Sequence, residues 1–212
     1  MSQLKLKHSG GNSVSLNPPT SAPTSSDVAF KLPNADGSAN QLLKTDGSGN
    51  LGWATDQGGK ILQVKQTVKT DKFTVSANAS NFFDITGLSV DITMSSASNK
   101  VLVLFTTTWT GTNGQRGSFR LRRGSTDIGL GDARGNRTRA FFGSIQTSSD
   151  NQCMPVAGQF LDTPSSGTHT YKLQVGGESG VGTLTINANQ SDGDGADKFV
   201  GVSTITAMEV SA

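Results

Sequence analysis

A chain of 212 residues with 26 glycines and 16% charged side chains has room for one ordinary domain and an appendage. Its mean hydropathy of −0.31 comes from neutral polar residues, which excludes a disordered polyelectrolyte and fits an all-β protein rich in turns. A formal charge of +2 gives no broad case for nucleic acid, and the lone Cys153 excludes an intrachain disulfide framework or a four-thiolate zinc site.

Residues 1–60 hold four of the six prolines and only short apolar pulses: Val14 and Leu16; Val28, Phe30 and Leu32; Leu42 and Leu43; Leu51 and Trp53. The opening "MSQLKLKHSGG" lacks the apolar centre of a secretion signal, so synthesis in a cytoplasm is expected. Asp36-Gly37-Ser38-Ala39-Asn40 recurs ten residues on as Asp46-Gly47-Ser48-Gly49-Asn50, and Asp-Gly and Ser-Gly steps favour tight turns. Such a segment cannot bury enough surface to offset its ordering entropy alone. A flexible linker and an ordered, chain-associating β-segment both fit; the alternating pulses and the repeated turn favour the second.

From Ile61 the pattern becomes strand after strand: 61–67, 72–76, 81–94, 100–109, 117–124, 139–146, 154–162, 168–175, 182–188 and 199–210. Gly-, Asn-, Asp- and Ser-rich loops separate them, and no stretch keeps a helical period with caps. The longest apolar run, Val101–Phe105, is too short to span a bilayer, so no membrane insertion is expected. Ten short strands point to a sandwich or barrel, and their even spacing fits a jelly roll of two packed sheets over 61–212.

Chemistry-bearing residues are sparse. His8 lies in the N-terminal segment and His169 in a predicted strand. A Cys153/His169 pair is conceivable, but a buried structural thiol and a strand-surface histidine are the preferred reading. No GxSxG nucleophile turn is present, and the acidic residues carry no signature of the facing pair that glycan cleavage needs. Asp192, Asp194 and Asp197 share a Gly-rich loop with oxygen spacing suited to Ca²⁺, yet the EF-hand pattern fails and a solvated hairpin loop is the simpler account. No catalytic residue, cofactor or metal is assigned.

Three stretches resemble virion proteins of tailed bacteriophages. They are "LPNADGSANQLLKTDGSGNLGWAT" (32–55), "ILQVKQTVKTDKFTVSANASNFFDITGLSVDITMSSASNKVLVLF" (61–105), and "FRLRRGSTDIGLGDARGNRTRAFFGS" (119–144) followed by "STITAMEV" (203–210). The resemblance, to tail-fibre and related virion fibre proteins, implies a homotrimer in the virion. Residues 1–60 would attach to other virion proteins, and a jelly-roll head would contact a host-surface glycan. A capsid-associated fibre or joint without host contact and a small polysaccharide depolymerase stand as alternatives.

The arginines are the sharper observation. All seven lie between Arg116 and Arg139, opposed there only by Asp127 and Asp132, which leaves that segment at +5. Arg binds carboxylate and phosphate bidentately, where Lys does not substitute well. Arg134, Arg137 and Arg139 fall in or beside the loop "GDARGNRTR", the expected receptor or anion contact. Arg120 and Arg122, on a strand, are expected at a subunit interface.

Overall fold

The structure is a computed structural model that describes residues 4–16, 20–21, 24, 28–56, 59–78, 81–112, 114–177 and 182–212. Among these are fifteen strands and no helix, and the chain divides into two compact units, Met1–Gly58 and Gly59–Ala212.

The first unit contains two hairpins. β1 (Leu4–Lys7) pairs with β2 (Ser13–Leu16) around a turn in which Nδ1 of His8 accepts the Gly10 amide, 3.0 Å. β3 (Gln41–Thr45) pairs with β4 (Leu51–Thr55). The duplicated turn takes two different conformations. In the second copy Asp46 accepts the amides of Ser48 (2.8 Å) and Asn50 (3.1 Å) and the Asn50 side chain (2.6 Å), while Gly47 and Gly49 take φ of 84° and 87°. This copy is the hairpin loop, and its bonds, the Asn50 side chain foremost, hold the Asp46 carboxyl below its usual range. The first copy has Ala39 where the second has Gly49, so the second positive φ is disfavoured there. Asn40 takes φ 65° instead. Gly37 then lies flat on the Trp53 ring, where a Cβ would come within 2.6 Å, and Trp53 Nε1 donates to Ala35 O, 2.8 Å. One copy turns the chain; the other seats an indole.

The second unit is an antiparallel sandwich. Its strands are β5 (Ile61–Lys69), β6 (Phe73–Ala77), β7 (Phe82–Met94), β8 (Lys100–Gly111), β9 (Arg116–Arg123), β10 (Thr126–Ile128), β11 (Phe142–Gln146), β12 (Met154–Asp162), β13 (Gly167–Gly177), β14 (Gly182–Ile186) and β15 (Ser203–Val210). One sheet runs β5–β15–β8; β12 and β14 share the far edge of β8, and β6 lies beyond β14. The other runs β7–β13–β9, with β10 and β11 sharing the far edge of β9. Thus β5–β15–β8–β12 is one layer and β7–β13–β9–β11 the other. The first long strand pairs with the last, and along the eight strands of these layers the chain changes sheet at every step except β9 to β11, the connectivity of a jelly roll. Alternation fills the interior: Val101, Val103 and Phe105 of β8, Phe119 and Leu121 of β9, Leu173 and Val175 of β13, and Ile205 and Ala207 of β15 are all buried.

Two sequence boundaries move. The strand expected over 139–146 begins only at Phe142, and the short β10 supplies the rest of that edge. The strand expected from 199 begins at Ser203. Asn187, at φ 65°, accepts the Gly201 amide on its own carbonyl, 2.8 Å, and Asn189 Oδ1 accepts the Phe199 amide. Residues 199–201 are therefore spent on tethering the 187–202 excursion and are withheld from the ladder.

The far end of the sandwich is closed by Glu209, whose side chain is fully buried. One carboxylate oxygen accepts Ser95 N (2.8 Å), Ser95 Oγ (2.7 Å) and Asn99 Nδ2 (2.8 Å); the other accepts Gln63 Nε2 (2.6 Å). Burial alone would raise its pKa, but the bonds from Asn99, Gln63 and Ser95 outweigh it and hold the group at about 2. One carboxylate thus clasps β5, β15 and the β7–β8 turn.

Two outcomes are expected. Glu209→Gln should lower stability by about 2 kcal/mol, the scale of hydrogen bonds to a charged group, measured by urea unfolding. Because the folded pKa lies below the ordinary value of 4.5, that difference should be full above about pH 4.5 and disappear as pH falls toward about 2. In the first unit, Asp46→Ala should speed amide exchange at Ser48 and Asn50, while Asp36→Ala should leave both unchanged.

Candidate functional site

Strand β9 carries an alternating pattern, with Phe119 and Leu121 turned into the core and Arg120 and Arg122 on the opposite face. Both arginines meet Asp127 of β10 within the same chain: Arg122 Nε at 2.7 Å and Arg120 at 3.4 Å. Arg120 also sits over the Phe82 ring, 3.8 Å from its centroid, an attraction of guanidinium for the π face. Arg123 turns inward to Asp162 of the other sheet, 2.6 Å. The same Asp162 oxygen accepts the hydroxyl of buried Tyr171, 2.7 Å. Burial first, and then the adjacent Asp162 carboxylate, push the Tyr171 hydroxyl well above its usual pKa, so it stays a donor.

Between β10 and β11 the chain makes a loop from Gly129 to Phe141. Its ends are pinned together: Gly129, at φ 65°, packs so closely under Phe141 that a Cβ would lie 2.6 Å from the ring. Phe141 in turn meets Phe105 edge-on at 5.4 Å and Phe160 at 6.4 Å, and its amide bonds Phe119 O, 2.8 Å. Arg139 belongs to this base, donating from Nε to Gly131 O (2.7 Å) while its own carbonyl accepts Arg120 Nε (2.8 Å). Arg134 and Arg137 stand at the exposed tip, around an open concavity of about 760 Å³ formed with Ala133, Gly135 and Asn136. The structure therefore separates the three loop arginines foreseen together: Arg139 is bonded into the base, and Arg134 and Arg137 face solvent.

The other sequence candidates do not converge. Asp192 meets Lys72 and Asp197 meets Lys198 at 3.1 Å, and among the described residues no group of three or more His, Cys, Asp or Glu is placed to hold a metal ion. Cys153 precedes β12, partly buried, and burial raises its thiol pKa, which disfavours the reactive thiolate. His169 lies beyond the opposite end of β12, its Nε2 donating to Ser165 O at 2.8 Å. The length of β12, about 26 Å at strand rise, separates the two. Among the described residues no helix is long and apolar enough to cross a membrane.

The sequence reading missed a surface. In β5, Gln63, Lys65, Thr67 and Lys69 lie opposite buried Glu209, Ala207, Ile205 and Ser203; Gln63, Thr67 and Lys69 are half-buried or buried, and Lys65 at the sheet edge is exposed. The apolar side chains of this strand therefore point outward, the reverse of an ordinary edge. Val64 aligns with Met208 of β15, Leu102 of β8 and Leu161 of β12, one apolar row across four strands. Val64, Val68 and Leu161 are each about half exposed, at 53%, 52% and 49%. In the next row Gln66 Nε2 donates to Thr206 Oγ1, 2.8 Å, so these two side chains satisfy each other. The outward positions of these four strands carry one ionised group, Lys100, at a corner beside Val210. Period-2 alternation in "ILQVKQTVK" was visible; which phase faced inward was not.

These pairings define the class: a jelly-roll β-sandwich preceded by a small hairpin unit. No family model matches the chain and no curated protein matches it. Among solved structures it is similar to that of infectious bursal disease virus, Gx strain, at 12% identity and a TM-score of 0.38, over 94% of this chain and 46% of that one. The chain spans less than half the length of that neighbour, and the similarity assigns no function.

Replacing Asp162 by Ala would leave Arg123 and Tyr171 without their shared acceptor. The expected cost is roughly 3 kcal/mol, as for a broken buried pair, read as a lower denaturation midpoint. Asp132→Ala, on the exposed loop, should change the midpoint little.

Proposed function

We propose that this chain is a structural fibre protein of a tailed-phage virion, a homotrimer whose residues 1–60 join other virion proteins and whose jelly-roll head meets the host surface without catalysis. The fibre assignment is supported by the sequence resemblance of residues 32–55, 61–105, 119–144 and 203–210. The association of identical chains is supported by the outer face of β5–β15–β8–β12. Four strands at about 4.8 Å spacing and some nine residues at about 3.3 Å give a face of roughly 500 Å², crossed by the Val64–Met208–Leu102–Leu161 row and otherwise lined largely by uncharged Thr and Gln. A face whose one charge, Lys100, sits at a corner is compatible with its own copy, because few like charges would meet across a symmetry axis. In the first unit Phe30, Leu32 and Leu42 are also exposed, at 63%, 76% and 54%, surface suited to pairing between chains.

Native mass spectrometry of the whole chain should show three copies of the 22.0-kDa polypeptide; a monomer would overturn the reading. Val64→Glu with Leu161→Glu should yield folded monomers, since both side chains lie outside the core. Labelled protein located by electron microscopy should decorate the tail. Decoration of the capsid instead would select the capsid-fibre alternative, and oligosaccharide released from host polysaccharide would select the depolymerase.

A further inference from the structure

We infer that the tip of the Gly129–Phe141 loop is an anion-recognition site for an acidic surface polysaccharide, with Arg134 and Arg137 as the binding pair. The inference rests on the fibre reading for its biological setting, though the site itself is complete within one chain.

Counter-ions decide which arginines are free. Within residues 116–139, Asp127 is taken by Arg120 and Arg122, and Arg123 is taken by Asp162. Arg139 is bonded to a loop carbonyl. Among the described residues Arg116, Arg134 and Arg137 form no ion pair and are exposed, and of these only Arg134 and Arg137 share a concavity. Two guanidinium groups flanking one turn present paired donor forks that match the oxygens of a phosphate or carboxylate. Gly135, at φ 57°, lets the chain reverse between them.

Rigidity of the base distinguishes this tip from a merely solvated loop. A thirteen-residue connection without regular structure would ordinarily be costly to order on binding. Here its ends are closed by the Gly129–Phe141 contact, and Phe141 is held in a ring cluster with Phe105 and Phe160. A chain of contacts from Phe82 through Arg120 and the Arg139 carbonyl to Gly131 fixes one flank. The ordering cost of the loop's base is met before the ligand arrives, which leaves the tip alone to be ordered.

Ligand class follows from how little positive surface there is. Three unpaired arginines, Arg134 and Arg137 on the loop and Arg116 at the other end of β9, on a protein of net charge +2 do not make the extended basic track that nucleic acid needs. The loop pair suits a polymer with one acidic group per repeat, phosphate or carboxylate, gripped once per copy. Each contact is weak, and repetition on tethered heads multiplies it.

The test immobilises four polymers: a glycerol-phosphate polymer, a polyglucuronate, neutral dextran and single-stranded DNA. Wild-type protein should bind at least one of the two acidic polymers at low salt, lose that binding as salt rises through the physiological range, and ignore dextran. Which of the two it prefers identifies phosphate or carboxylate as the source. R134S with R137S should weaken binding at least tenfold with unchanged melting temperature and mass. R116S, at the other end of β9, should bind as wild type does. Undiminished binding by the double variant, equal capture on dextran, no capture on either acidic polymer, or tighter capture on DNA would each overturn the inference. Mass measured on the same samples separates the two claims: a monomer that still binds through Arg134 and Arg137 would defeat the trimer and leave the site standing.

Discussion

Asp162 gives the two sheets of the sandwich a directional link. Asp162 closes β12 in the first sheet and receives Arg123 of β9 and Tyr171 of β13, themselves cross-strand partners in the second. Apolar packing between sheets is non-directional and would tolerate a slide of one layer over the other. A charged acceptor with two donors at hydrogen-bond distance does not. By fixing β9, Asp162 also fixes the neighbouring Arg120 and Arg122, and through Arg120 the carbonyl of Arg139 at the base of the exposed loop. The loop's placement is thus a property of the core.

Polar residues inside this sandwich act as a frame at its ends while apolar residues fill its middle. Glu209 clasps one end, and near the other Asn187 bonds the Lys69 carbonyl (2.9 Å) and accepts Ser203 Oγ (2.6 Å), which in turn meets Thr107 (2.7 Å). Buried polar groups of this kind stabilise only when each finds a partner, and here most do. The outer face of the first sheet has the opposite character, partly apolar where it meets solvent. The sandwich is polar at its internal joints and carries an apolar row along one external wall.

Most of the fold was legible because alternation is a local signal. In "KVLVLFTTTW" and "SFRLRR" the period of two marks a strand and the apolar phase marks its inner side. The same rule fails for β5, whose inner phase is Gln63, Lys65, Thr67 and Lys69, because Glu209 and the sheet edge, not the core, receive them. It also fails at 199–202, where Phe199, Val200 and Val202 look like a strand but the Asn187 carbonyl and the Asn189 side chain claim the backbone amides. Charge clustering revealed the arginine segment. It could not say which arginines were neutralised, since Asp127 and Asp162 lie at sequence distances that only the fold brings to zero. The repeated DGSxN turn was read as one structure; a single Gly-to-Ala difference made it two.

The pairing of β5 with β15 joins residues on the order of 140 positions apart. Long-range closure of this kind is slow, and its timing has a consequence for assembly. That external wall is built from both partners: Val64 and Val68 come early in synthesis, Met208 about 140 residues later. A chain that ends before β15 cannot complete that wall. Only chains that have finished folding display the surface on which copies would meet, so recognition between subunits would double as inspection of each one.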